Sequence, residues 1–442
     1  MDAARRKFLL STLGATGTMA LSNLLTTARA SNAIPTVTDQ HFVFAHFLGG
    51  WDAILTVDPK DPEIYDDDEL TVAEFGVETG YGSLGFTEDP RIFTDVDGLV
   101  FGPYIGDMAN FASRISVVRG MTITSVAHGS ATVHLNTGKT PAGTGARGSS
   151  IATILASIMG EGQLMPNLVS GAVGTYNIDR PAWASGLRAS NIRDLKDLLG
   201  PGISTLEREE KYALDEFFDR ELQRVNTPRR RTIFQSRDVN RMLIEEDVAS
   251  EFDVDNEALD PLVERMGNGA ALMAYQALTK GYSRCVSFQA MPFSDAHAGN
   301  YWRNLHRWHL LNGFNEVATL ASELEATPYP TGGTWLDHTT IVCASEFNRT
   351  PFLNATGGRD HGTTNTALLL GGGIAGGKVI GETHQKSMVA QPIDLATGMV
   401  DDNGSTVSHE NIAVTLIKSL GVTDDVGDFR VPAIDALLAG VE

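Results

Sequence analysis

Carboxylate and imidazole residues recur in this chain just beyond short apolar runs. Asp52 follows His41–Leu48. Asp295 and His297 follow Arg284–Met291, and Glu346 follows Thr339–Ala344. Asp360 and His361 form Asp360-His361-Gly362, just ahead of Thr366–Leu370. His128 and Ser130 lie downstream of Arg114–Arg119, in Val126-Ala127-His128-Gly129-Ser130. These side chains are the ligand types that zinc, manganese and similar divalent ions take. Two such ions held close together would clamp an in-line displacement at phosphorus or sulfur.

Each residue also has a purely structural use. Asp52 after a glycine pair can cap the next turn. Asp295-Ala296-His297 can close a local Asp–His hydrogen bond, Asp360-His361 can form an Asx turn, and Glu346 can pair with Arg349. Their joint position at strand ends is the stronger signal. Other histidines carry less: His306 and His309 share a helical stretch with Trp302 and Trp308, which reads as packing or surface. His134, His338, His384 and His409 have little around them that marks a ligand. Cys285 and Cys343, the only cysteines, can build neither a disulfide framework nor a thiolate zinc site.

The elements that must position these groups are legible. His41–Leu48, Arg114–Arg119, Arg284–Met291, Thr339–Ala344 and Thr366–Leu370 read as strands. Ser149–Met159, Ala258–Lys280, Trp302–Ala326 and Glu410–Leu420 read as helices. Pro59–Thr94, with its Tyr65-Asp66-Asp67-Asp68 run, reads as an acidic surface excursion. Leu206–Glu246 reads as two solvated helices within an insertion over about 200–260. Near-continuous apolar strands alternating with helices predict an α/β fold with a largely parallel sheet. In such sheets ligands sit beyond the carboxyl ends of the strands, where these polar residues collect.

Composition narrows the function. The chain has 442 residues, 34 basic and 55 acidic, for a net charge of −21. That length supports one large domain or two ordinary ones. So acidic a chain argues against a nucleic-acid partner, which needs clustered Lys and Arg. The 45 glycines point to tight turns and close backbone approaches. The first thirty residues read as an export signal: Arg5-Arg6-Lys7, a mildly apolar stretch, then Ala28-Arg29-Ala30. The paired arginines fit a twin-arginine signal, which implies the twin-arginine export machinery as a partner and a periplasmic or secreted location. Removing this segment, itself net +3, takes the charge from −21 to −24. No stable membrane span is expected after cleavage.

At the level of motifs the chain resembles the bacterial exported proteins known as domain of unknown function 1501, of the alkaline phosphatase/sulfatase superfamily. Gly49-Gly50-Trp51-Asp52 is similar to an early Gly-Gly-x-Asp. His128 and Leu135-Asn136-Thr137-Gly138 resemble a His…Thr-Gly segment, and Phe293-Ser294-Asp295-Ala296-His297 a Trp-Asp-Thr-His motif. Ser345-Glu346-Phe347-Asn348-Arg349-Thr350-Pro351 is close to Ser-Glu-Phe-Gly-Arg-Thr-Pro. Gly358-Arg359-Asp360-His361-Gly362 matches Gly-x-Asp-His-Gly, and the glycine-rich stretch from Gly371 to Gly381 follows. The resemblance implies a doubly wound, alkaline phosphatase-like sandwich with two metal subsites and a nucleophile at a helix start. Asp52 would hold one metal, and Asp295 and His297 the other. A later Asp-His pair would map onto Asp360-His361 or, with Phe347 replacing a histidine, onto Glu346-Phe347; the second is favoured.

With no cysteine in the N-terminal half, a formylglycine nucleophile is not expected. Ser130 is then the first choice, ahead of Ser125 and Thr132. His128 would be a ligand or a donor to the leaving group, and Arg349 would hold an anionic oxygen. The function implied is hydrolysis of phosphate or sulfate esters, small or polymer-borne. The alternative is a non-catalytic binding or surface-assembly protein that keeps the fold.

Overall fold

The computed structural model describes residues 39–65, 78–199, 220, 260–267, 269–385, 387–422 and 426–440. The fold is that of the unit Asp39–Glu442. The expected signal segment lies outside the described residues. So do the acidic run from Asp66 to Asp68 and, apart from Arg220 and Asp260, the expected helical insertion.

Apolar β-branched and aromatic runs build the sheet. The strands are β1 His41–His46, β4 Ile115–Thr122, β5 Asn167–Val169, β6 Leu187–Arg188, β7 Cys285–Gln289, β8 Thr339–Ala344, β9 Thr364–Gly371 and β10 Lys378–Ile380. They are ordered β10-β4-β9-β8-β1-β7-β5-β6, and β2 (Ile92–Phe93) and β3 (Val100–Phe101) form a separate ribbon. β1 pairs in parallel with both β7 and β8. β9 runs antiparallel to β4 and β8, so the sheet is mixed and mostly parallel.

Helices cover both faces, as a doubly wound fold requires. Alternation along β1 shows it. Val43 and Ala45, with Phe47 just beyond, enter the core shared with helix Ala270–Thr279 and helix Arg307–Ala326, where Phe47 stacks on Phe314 at 4.4 Å between centroids. Phe44 and His46 point the other way, toward Leu135, Ile151 and Ile412. Those three lie on helices His128–Thr137, Ile151–Met159 and His409–Lys418. Being covered twice explains why β1 and β8 are buried at every residue.

Two expected helices differ in detail. The stretch expected as one helix over Ala258–Lys280 is two, Asp260–Met266 and Ala270–Thr279, because Gly267 adopts a left-handed φ of 65° that ends the first. The long helix expected from Trp302 opens with a π-helical turn, Trp302–His306, before the α-helix Arg307–Ala326.

All the parallel strands that carry a polar segment end at one edge of the sheet, and β9, running the other way, begins there. β1 therefore delivers Gly49 to Asp52, β7 Ser294 to His297, and β8 Ser345 to Arg349. β4 delivers Val126 and His128, and the segment ahead of β9 delivers Arg359 to His361. Backbone bridges Trp51–Asn348, Arg349–His361 and Ala298–Gly357 tie these segments together.

Candidate metal centre

The loop after β1 turns sharply at Gly49 and Gly50, which have φ of 107° and 80°. A Cβ on Gly49 would fall 2.3 Å from the Ser294 backbone nitrogen, and one on Gly50 2.4 Å from the Phe347 ring. Only glycine lets the β1 and β7 loops close on each other here. The closure is fastened by Arg349, which is 2% exposed. Its Nε donates to Gly50 O at 3.0 Å and its Nη1 to Arg359 O at 3.1 Å. Nη2 donates to Gly49 O and, at 2.7 Å, to Asp295 Oδ1.

Three histidines turn toward Asp295. His128 Nδ1 lies 2.7 Å from Glu346 Oε1, His297 Nδ1 lies 2.6 Å from Asp360 Oδ1, and His361 Nδ1 lies 2.5 Å from the Val126 carbonyl. Each Nδ1 faces an acceptor and so carries the proton, which in the neutral ring leaves a lone pair on Nε2. The three Nε2 atoms then converge. Those of His297 and His361 are 2.9 Å apart. They lie 3.1 and 3.4 Å from Asp295 Oδ1. His128 Nε2 is buried, has no hydrogen-bond partner, and sits 3.5 Å from Asp295 Oδ2.

Facing lone pairs beside a carboxylate repel unless a cation lies among them. A proton shared by His297 and His361 would satisfy those two rings but not His128. A divalent ion would satisfy all of them, and an imidazole–carboxylate set fits one. His128, Asp295 and His361 form a group of three whose ligand atoms all lie within 4.8 Å of one another. Histidines backed on Nδ1 by a carboxylate or carbonyl are the usual second layer of a metal site.

The electrostatics keep the donors ready. Burial alone would raise the Asp295 carboxyl, but Arg349, His297 and His128 hold it below its usual range. Asp360 behaves alike, with His297 and Asn354 overcoming burial. Burial lowers His361, aided by Arg349 and His128 and opposed by the Val126 carbonyl, so its neutral form is favoured.

The expected site residues thus divide. The structure brings Asp295, His297, His361 and His128 together at the cluster. Glu346 and Asp360, expected as ligands, instead hold His128 and His297. Glu346 is 1% exposed and also accepts from Gly49 N at 2.8 Å and Ser345 Oγ at 3.0 Å, so its oxygens are committed. Asp52, expected as a ligand, is also 1% exposed. Its Oδ2 accepts from Trp302 Nε1 at 2.9 Å and faces Arg359 Nε at 3.1 Å. Arg349 pairs with Asp295, not Glu346, and is too buried to receive an ester oxygen from solvent. Ser130, the expected nucleophile, stands in the first turn of helix His128–Thr137, but its hydroxyl donates to Gly143 O at 2.8 Å.

Sequence reasoning missed four contributors: Val126 through its carbonyl, Asn354, Trp302 and Arg359. Asn354 Nδ2 donates to Asp360 Oδ1 at 2.8 Å. Nothing in the type of Val126 or Asn354 signals these roles. Arg359 could have been singled out, since it is a charge directly before Asp360-His361. Phe347 fills the floor, 4.3 Å from the His361 ring and 4.9 Å from that of His128 between centroids.

The fold and this centre define a class: a doubly wound α/β protein with a His–Asp cluster, suited to a divalent cation, beyond its strand ends. The family resemblance is shown by residues 215–424, which match the family described as "Protein of unknown function (DUF1501)". That stretch carries Asp295, His297, Glu346, Asp360 and His361 but not Asp52 or His128. No curated protein matches the chain. Similar solved structures include Ps i-CgsB in complex with k-i-k-neocarrahexaose, at TM-score 0.38 and 10% identity over 88% of this chain and 73% of that one. Another is a TAB5 alkaline phosphatase mutant with Mg bound in its M3 site, at TM-score 0.35 and 8% identity over 87% and 99%. Both are distant likenesses. No described helix is long and apolar enough to cross a membrane.

Proposed function

We propose that this chain is an exported, metal-dependent hydrolase of phosphate or sulfate esters. The observation that carries the reading is the convergence of three Nε2 atoms on Asp295, each ring fixed through its Nδ1. His128, Asp295 and His361 would hold a zinc or manganese ion, with His297 beside them. A divalent ion there supplies Lewis-acid charge to an ester oxygen. Glu346, Asp360 and the Val126 carbonyl keep the imidazoles in one tautomer and orientation. Arg349 holds Asp295 ionised and in place. His297, 44% exposed at its side chain, is the most open to solvent of the three rings.

One observation favours the alternative of a binding protein without turnover: Ser130 and Arg349 already have partners. Metal content and a panel of aryl phosphates and aryl sulfates separate the two. The hydrolase reading expects stoichiometric metal and turnover of at least one ester, both lost in Asp295→Ala. Metal-loaded protein inert across the panel supports the binding protein instead.

Export belongs to the same proposal, supported by Arg5-Arg6 and the small residues Ala28 and Ala30. Replacing Arg5 and Arg6 together by Lys is expected to leave the protein in the cytoplasm on fractionation. Unchanged periplasmic or secreted protein would contradict a twin-arginine route.

A further inference from the structure

The first-strand aspartate has a different duty from the one its position implied. Arg359 is a fully buried cation. Its Nη1 donates to Thr350 O at 2.7 Å, and its Nη2 to Glu78 O at 2.7 Å and Thr79 O at 2.8 Å. Backbone carbonyls engage its two terminal nitrogens but leave Nε without a hydrogen bond and do not neutralise its charge. The carboxylate that does is Asp52, 3.1 Å from Nε. The indole of Trp302 closes the arrangement: its ring lies 5.3 Å from the Arg359 guanidinium carbon, and its Nε1 donates to Asp52 Oδ2. Trp302 opens the π-helical turn, a local irregularity that recurs at functional sites.

Arg359 also connects directly to the centre. Its backbone N–H donates to Ala296 O at 3.0 Å, between Asp295 and His297. Its carbonyl accepts from Arg349, which holds Asp295. Its next two residues are Asp360, which fixes His297, and His361. A shift of Arg359 would therefore move both halves of the cluster at once.

The geometry points to Asp52, Arg359 and Trp302 as positioning residues: a buried, charge-compensated brace that sets the spacing of Asp295, His297 and His361, with Asp52 outside the coordination sphere. The inference rests on the metal reading above and deepens it. It also explains why Asp52 follows β1 without joining the donors, since its carboxylate is turned to the arginine and the indole.

Zinc titration of the whole protein against a chromophoric chelator tests it, alongside thermal melts of the chelator-stripped protein. Asp52→Asn puts a carboxamide of the same shape where the carboxylate stood and so removes the charge. It is expected to retain the zinc stoichiometry of the unaltered protein while binding about 10–100-fold more weakly, as loss of a metal site's outer layer does. Loss of a zinc equivalent would overturn the inference by making Asp52 a ligand, and affinity within twofold of the unaltered protein would overturn it by making the brace merely structural. Should Asp52→Asn fail to fold, Trp302→Phe removes the indole N–H while keeping an aromatic ring, at the cost of a cavity that lowers the stripped melt. It is expected to weaken zinc severalfold in protein that is still folded, and unchanged affinity would again overturn the inference. An unaltered protein that takes up no zinc would sink the metal reading itself, a result distinct from either.

Discussion

Glu346 and Asp295 are both carboxylates after parallel strands, yet they do different work because of what reaches them. Glu346 is enclosed by Gly49 N, Ser345 Oγ and His128 Nδ1. Asp295 is 36% exposed at its side chain and faces three imidazoles. Replacing Glu346 by Gln keeps an acceptor for His128 but removes the charge that makes the imidazole a stronger donor to metal. Glu346→Gln is expected to lower zinc affinity by about 10-fold, the lower end of such effects, with stoichiometry preserved. A chelator-competition titration measures both, and an unchanged affinity would count against Glu346 as the support of His128. Which carboxylate binds and which orients was not legible in the sequence. Both occupy strand ends, and the distinction depends on which oxygen faces a buried N–H.

At the scale of elements, β1, β8 and β7 were legible because strands covered on both faces must be apolar throughout. Asn167–Val169, Leu187–Arg188 and Lys378–Ile380 were not, since two or three residues carry no period. The reversed direction of β9 was equally hidden, because an apolar run does not encode its orientation. One consequence of double coverage concerns histidines. His46 ends β1 and sits with His134 and His409 between the sheet and its helices, all buried. His134 and His409 meet edge to face at 5.4 Å. His46 Nδ1 has no hydrogen-bond partner, while Asn365 Nδ2 meets His409 Nε2 at 3.0 Å and Thr124 meets His134 at 3.3 Å.

Burial lowers His46 to about 4, against a small opposing pull from Glu346. Burial likewise lowers His134 to about 4, and it holds His409 well below 6.5, helped by its two histidine neighbours. The unfolded chain therefore binds more protons than the folded one between about pH 6.5 and 4. Stability is full above that window and falls as pH drops through it, by on the order of 2–3 kcal/mol for each of His46 and His134. Chelator-stripped protein, which isolates this effect from metal release, is expected to melt progressively lower from pH 6.5 to 4. Replacing His46 by a residue that does not titrate, such as Gln, should flatten the slope. A melting temperature constant across this range would contradict the assignment.

For the whole molecule, the sequence indicated where chemistry collects more clearly than how it is arranged. A net charge of −21 opposes the approach of an anionic ester. Arg349, expected to hold an anionic oxygen, does not offset it, because both arginines of the site are buried, Arg349 against Asp295 and Arg359 against Asp52. A divalent cation among His128, Asp295 and His361 would supply the positive charge that these arginines cannot present to solvent. The acidic surface and the metal reading are in this way linked. The histidine lone pairs call for a cation locally, and an anionic substrate calls for one at longer range.

The most direct test of the account is zinc uptake by the chelator-stripped full chain, followed by titration and elemental analysis, for the unaltered protein and for Asp295→Ala. Stoichiometric zinc is expected in the first and its loss in the second, with the Asp295→Ala protein still folded by circular dichroism. An unaltered protein that binds no divalent metal, or an Asp295→Ala protein that binds it equally well, would contradict it.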